Sequence, residues 1–192
     1  MRIVGGRLSG RTIAAPPGRD TRPTSDRVRE ALFNLLAART DFDEASVLDL
    51  FAGSGALGLE ALSRGAQTAT LVERHGPTLA VARTNAAGLG LGVHVRTVRA
   101  DALAFVRRSP SERFDLAFAD PPYALAEIPD LPVLVRPHLA PDALFVLEHD
   151  TRHNFDGDPG LVLSRAYGQT VVSIFGSVPE SSQSDLPQPP SP

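Results

Sequence analysis

Cysteine, tryptophan and lysine are absent from these 192 residues, and methionine occurs only once. Without cysteine there is no disulfide, no thiolate metal site and no cysteine nucleophile, which fits a protein of the reducing cytoplasm. Long apolar runs are missing too. No stretch approaches the ~18 uncharged residues of a membrane helix, so no membrane partner is expected. The opening Met1-Arg2-Ile3-Val4-Gly5-Gly6 has no apolar core, and no secretory signal is expected there. Net charge is only −3, which as a total does not suggest a nucleic-acid partner. Its distribution does. Residues 1–40 hold eight arginines and three acids, a balance of +5, while the remainder carries −8. Arginine-favouring codon usage accounts for the missing lysines but not for this clustering. A basic N-terminal segment on an acidic body reads as a phosphate-contacting surface, with Arg7, Arg11, Arg22, Arg27 and Arg29 its candidate contacts.

An apolar content of 42% supports one sizeable core in a single domain. Residues 1–40 read as a basic hairpin and helix, residues 41–176 as the main fold, and 177–192 as a Ser- and Pro-rich disordered tail. The hairpin is expected to pair Arg2–Val4 with Thr12–Ala15 around Gly5, Gly6 and Gly10, with Arg7 and Arg11 projecting from it. A helix starts near Thr24-Ser25-Asp26, capped by Thr24 or Ser25, and runs to about Ala38 with Val28, Leu32, Leu35 and Leu36 on one face. Strands are then predicted at Val47–Phe51, Thr68–Glu73, His94–Arg99, Phe114–Ala119, Ala143–His149 and Thr170–Phe175. Helices fit between them at Ala56–Ser63, Pro77–Ala87, Ala102–Arg107 and Ile128–Leu139, the last made irregular by Pro132 and Pro137. Residues 161–176 should return as a terminal hairpin. Short apolar strands alternating with helices imply an α/β fold whose parallel sheet is covered on both faces.

The stretch Asp49-Leu50-Phe51-Ala52-Gly53-Ser54-Gly55-Ala56-Leu57-Gly58 follows the first strand and opens a helix. Gly53, Gly55 and Gly58 have the G-x-G-x-x-G spacing of a nucleotide loop, in which glycine permits a tight turn and a close approach of ligand to main chain. Glu73, about twenty residues on, suits ribose hydroxyls and keeps a dinucleotide in play. Asp49 points elsewhere: an acid before the loop suits a cationic amino-acid ligand better than a pyrophosphate. S-adenosylmethionine has an ammonium, a sulfonium, a ribose and an adenine, and no phosphate. Asp101 can accept from an adenine amine or cap the helix at Ala102. Asp120 closes the fourth strand, so acids at four strand ends should line one edge of the sheet.

Asp120-Pro121-Pro122-Tyr123 supplies an acceptor carboxylate, a carbonyl row kept out of helix by proline, and a ring for stacking a base. Pro-Pro after a strand is by itself an ordinary turn; its position beside the glycine loop raises its interest. Taken with Arg22-Pro23-Thr24-Ser25-Asp26-Arg27-Val28-Arg29-Glu30-Ala31-Leu32-Phe33-Asn34, Asp49–Leu62 and the opening Arg2-Ile3-Val4-Gly5-Gly6, it resembles the RsmD-type bacterial 16S ribosomal RNA guanine-N2 methyltransferases. These are class I S-adenosylmethionine-dependent enzymes with a Rossmann-like sheet. The resemblance covers nearly everything but the tail.

It implies a seven-stranded sheet in the order 3-2-1-4-5-7-6 with its last strand antiparallel, and 16S ribosomal RNA as partner, in the small subunit or an assembly intermediate. It further implies a monomer, S-adenosylmethionine as cofactor with S-adenosylhomocysteine as product, and no metal. The expected cofactor contacts are Asp49, Phe51, Ala52, Gly53, Ser54, Gly55, Gly58, Glu73, Arg74, Asp101, Ala102 and Asp120. The expected catalytic residues are Asp120, Pro121, Pro122 and Tyr123. One departure is visible: relatives often carry Glu-x-Asp after the second strand, whereas here Arg74 and His75 follow Glu73. Rival readings are a methyltransferase for a DNA or protein amine, an NAD-dependent oxidoreductase, and a non-catalytic RNA-binding assembly factor. His149-x-x-x-His153 and Asp156-Gly157-Asp158 lack further ligands and read as loop features.

Overall fold

The computed structural model describes residues 1–16, 26–108 and 110–178. Its centre is a sheet of strands β1 (Ser46–Leu50), β2 (Thr68–Val72), β3 (Val95–Val98), β4 (Phe114–Ala119), β5 (Leu139–Asp150), β6 (Leu161–Tyr167) and β7 (Thr170–Phe175). Their spatial order is β3-β2-β1-β4-β5-β7-β6. β3 through β5 run parallel, and β7 pairs antiparallel with both β5 and β6. This is the Rossmann-like methyltransferase order that the resemblance implied. β1, β2 and β4 are apolar almost throughout because both faces are covered.

Alternation along the strands divides the core. Val47, Leu116, Phe118 and Val146 pack on one face with α1 (Asp26–Ala37), α2 (Ala56–Ser63) and α3 (Gly76–Gly88). Leu48, Ala117, Phe145 and Leu147 pack on the other with α4 (Ala102–Val106) and α5 (Leu131–Val135). Burial of this kind is worth roughly 25 cal/mol per Å² of apolar surface, and it outweighs local preference in holding the short helices.

The main departures lie at two places. Residues Ile128–Leu139 do not form one helix: α5 is flanked by 3-10 turns at Ile128–Asp130 and Arg136–His138, since Pro129, Pro132 and Pro137 remove backbone donors. Leu139 instead begins β5, whose pairing with β4 shifts between Phe114 and Leu116. The N-terminal strands Arg2–Val4 and Thr12–Ala15 reduce to one bridge, Arg2 to Thr12, around a 3-10 turn at Gly6–Leu8. Side chains capture the groups a ladder would use: Val4 N–H donates to Glu60 Oε2 at 2.8 Å and Ala14 N–H to Asn85 Oδ1 at 2.9 Å. Ile3 and Ile13 are buried in the α1–α3 core, so this segment packs with the main fold. The expected caps Thr24 and Ser25, and the tail from Pro179 onward, lie outside the described residues. Among the described residues no helix is long and apolar enough to cross a membrane.

Candidate active site at the carboxyl edge of the sheet

Register brings the two motifs together. Leu50 of β1 pairs with Val72 of β2 and with Ala119 of β4. Phe51, Glu73 and Asp120 therefore leave their strands level with one another. β1 and β4 are the neighbours from which the sheet order diverges, the switch point where open α/β sheets bind ligands. The loop turns through left-handed backbone at Phe51 (φ 58°), Gly53 (φ 57°) and Gly55 (φ 80°). Gly58 is needed for a different reason: a Cβ there would stand 2.6 Å from Leu71 Cδ2 and 3.3 Å from Asp49 Oδ2. Its absence lets α2 settle directly on the sheet.

Carboxylates fasten the loop from beneath. Asp49, only 1% exposed, accepts the Gly58 N–H at 2.9 Å through Oδ2. Burial pushes its pKa up to about 7, the Gly58 bond opposes this, and the Glu73 charge adds to it. Glu73, also buried, accepts Gly53 N–H at 3.2 Å through Oε2 and His75 N–H at 2.8 Å through Oε1. It thus joins the loop to the start of α3. Asp101 caps α4 by accepting the Ala104 N–H at 3.0 Å, which bears out its capping role. Its other oxygen lies 4.0 Å from Nη1 of the exposed Arg74. Phe51 is half-buried; Ala52, Ser54 and Ala102 are buried around the same edge.

Sequence reasoning missed Asn85. Its Nδ2 donates to the carbonyls of Ser54 and Ala14, both at 3.0 Å, tying the N-terminal segment to the glycine loop. Nothing local in the sequence marks it.

On the acceptor side, Pro121 is buried and Pro122 exposed. The Pro122 carbonyl accepts Leu125 N–H at 2.8 Å, so the tetrapeptide does close a turn as well as the strand. Tyr123 is held at both ends. Its hydroxyl lies 2.9 Å from Thr170 Oγ1, and its carbonyl accepts from Arg152 Nη2 at 2.9 Å. Burial raises the phenol pKa, the Thr170 bond opposes it, and the charges of Glu148, Asp120 and Asp150 raise it further. Ala119 pairs with Leu147, so Glu148, still within β5, lies level with Asp120.

The basic segment divides. Arg7, Arg11 and Arg27 are exposed, but Arg7 sits where the Gly6–Leu8 turn docks on the far end of α2. There Leu8 N–H donates to Ser63 Oγ at 3.0 Å and Ser63 Oγ donates to the Gly5 carbonyl at 2.6 Å. An eight-residue helix separates that end from the glycine loop by about 12 Å. Arg11 Nη2 donates to the Gly88 carbonyl at 2.9 Å, at the end of α3. Arg22 lies outside the described residues.

Arg29 corrects an expectation. At 1% exposure it cannot touch RNA. It pairs with Asp26 at 2.9 Å and Glu60 at 3.8 Å, and donates to the Arg2 carbonyl. Glu60, itself buried, also accepts from Arg64 at 2.9 Å. An arginine buried among apolar neighbours needs such partners, and here they clamp α1, α2 and the N-terminal segment together.

His149 is taken up structurally: Nδ1 donates to the Asp150 carbonyl and Nε2 accepts from Ser173, both at 2.8 Å. Burial holds its pKa down. Asp158 binds Arg136 at 3.0 Å and Gly160 N–H at 2.8 Å, consistent with a turn. Among the described residues no group of three or more His, Cys, Asp or Glu side chains is placed to hold a metal.

Comparison with known proteins agrees with this architecture. Residues 1–176 match the family described as conserved hypothetical protein 95. The ribosomal RNA small subunit methyltransferase D of Escherichia coli K12 is 38% identical over 180 residues, covering 91% of this chain and 89% of that protein. The solved structure of the Escherichia coli protein yhhF superposes with a TM-score of 0.79 at 36% identity, covering 92% of this chain and 97% of the other. A Salinibacter ruber RNA methyltransferase solved with S-adenosyl-L-homocysteine shares the fold at TM-score 0.63 and 19% identity, covering 87% of this chain and 97% of its own. The chain belongs to the conserved hypothetical protein 95 family, the RsmD family of methyltransferases.

Proposed function

We propose that this protein transfers a methyl group from S-adenosylmethionine to the exocyclic N2 amine of a guanine in 16S ribosomal RNA. It would act in the cytoplasm as a monomer on the small subunit or an assembly intermediate. The observation that carries the reading is the level ending of β1 and β4, which sets the glycine loop beside Asp120–Tyr123. Relatives named for ribosomal RNA methylation support the substrate class.

The residues present fit the cofactor. Asp49, Glu73, Asp101 and Asp120 stand at or just beyond the carboxyl ends of four strands, an acidic setting that suits an ammonium and sulfonium and repels a pyrophosphate. The NAD reading is disfavoured on that ground. Gly53 and Gly55 bare the loop backbone; in this reading Glu73 binds the ribose hydroxyls and Asp101 the adenine amine. When bound, the cofactor supplies an electrophilic methyl group.

An arylamine nitrogen is a weak nucleophile because its lone pair is delocalised into the ring. Asp120 and the Pro121 carbonyl accept its two N–H groups and draw it towards pyramidal geometry. The Tyr123 ring stacks on the base, an interaction worth about 1–3 kcal/mol. Fixed placement of the amine in line with the donor lowers the barrier further. The proton released after methylation passes to Asp120 or to water. To reach the site the guanine must leave its stack or pair.

Asp120→Ala is expected to lower methyl transfer by about 10²–10⁴-fold, far more than it weakens cofactor binding. A tritiated methyl-donor assay across RNA, DNA and protein, paired with calorimetry, measures both. Undiminished turnover would falsify the assignment, and label on DNA or protein would redirect it to another amine.

A further inference from the structure

Tyr123 is tethered by residues from two later segments of the chain. Thr170 is the first residue of β7, and β5–β7 pairing sets it opposite Asp150. The turn that places it there passes through Gly168 at φ +69°. Arg152, just beyond β5, donates to Asp150 Oδ2 through Nε at 2.6 Å while its Nη2 holds the Tyr123 carbonyl. A tyrosine side chain has only two torsions, and its hydroxyl lies on the axis of the second, so fixing the hydroxyl and the carbonyl sets where the ring projects.

We propose that Thr170 is a positioning residue of the acceptor site: from the turn of the β6–β7 hairpin it holds the Tyr123 ring at the place where the substrate base stacks. The inference rests on the reading above, in which Tyr123 meets the base. It makes the terminal hairpin part of the RNA site, although that hairpin carries no motif residue. Burial, with the nearby carboxylates, keeps the phenol protonated, so it remains a partner for the Thr170 hydroxyl across the neutral range.

Substitution chemistry separates this role from simple support of the hairpin. Valine keeps the shape and strand preference of threonine without the hydroxyl, whereas serine keeps the hydroxyl and is the poorer strand former. Thr170→Val and Tyr123→Phe are each expected to raise KM for the ribosomal RNA substrate about 3–10-fold, the loss of one hydrogen bond. In Thr170→Val the cofactor Kd and kcat should stay within about twofold. Thr170→Ser should restore most of the binding, and the Val/Phe double variant should be no worse than either single one.

Three results would overturn the proposal: a wild-type KM in Thr170→Val, an equal defect in Thr170→Ser, or a double variant whose defect is the product of the singles. Tyr123→Ala separates the two levels of inference. If it too retains wild-type KM, stacking on Tyr123 is wrong. If it is impaired while Thr170→Val is not, only the role of Thr170 is wrong.

Discussion

At the end of β1 the glycine loop is held by carboxylates that solvent scarcely reaches, Asp49 at 1% exposure and Glu73 at 4%. At the end of β4 the tetrapeptide is held by side chains at the surface, with 67% of the Arg152 side chain exposed. Buried polar bonds are expensive to leave unmade, so the donor half is preformed and rigid. The acceptor half depends on bonds nearer the surface, from Thr170 of the terminal hairpin and from Arg152 just beyond β5, which suits a surface that must receive a large and mobile RNA. The two halves should therefore fail differently.

The largest effect is expected at the seam of the donor half. Gly58→Ala drives a methyl group into Leu71 and the Asp49 carboxylate, and overpacking of this kind typically costs about 1–3 kcal/mol of stability. Cofactor affinity should fall by about tenfold or more, while RNA affinity changes by less than about twofold. Thermal melts, calorimetry and RNA binding on one preparation test the contrast; a parallel loss of both ligands would erase the division between the halves.

A smaller effect should appear in pH dependence. Asp49 has a folded-state pKa of about 7 against an ordinary value of 3.8. Between those values the native state binds the extra proton, so stability should fall as pH rises from about 4 to 7 and then level off. A cationic cofactor favours the ionised form, so its affinity should rise several-fold from pH 6 to 8. Asp49→Asn should flatten both trends. If its titrations parallel the wild type, Asp49 is not the group responsible.

The smallest effect belongs to the acceptor half. Arg152→Ala removes an exposed donor, and its pairing with Asp150 is of the solvent-screened kind that contributes little to stability. KM for RNA should rise about threefold, with stability and cofactor binding unchanged. A defect larger than that of Thr170→Val would shift the main tether from the Tyr123 hydroxyl to its carbonyl.

Much of the site was legible locally. The glycine spacing, the acids closing successive strands and Asp120–Tyr123 could all be placed because strand periodicity determines where each segment ends. The burial of Arg29 is legible in its spacing. Positions 29, 32, 33 and 36 are an i, i+3, i+4, i+7 set, and all of them are buried on α1. Charge suggested a surface where spacing indicated a core. Asn85, Arg152 and Thr170 were not legible, because each acts on a residue 29 or more positions away.

By itself the sequence determined the alternation of strands and helices, the glycine loop and the acceptor tetrapeptide, since these follow from periodicity and from what glycine and proline permit. The tertiary structure decided which arginines face solvent, which carboxylates hold the loop and what fastens Tyr123. Those outcomes depend on register between strands distant in the chain, and on the need of every buried polar group for a partner that only the folded chain brings near.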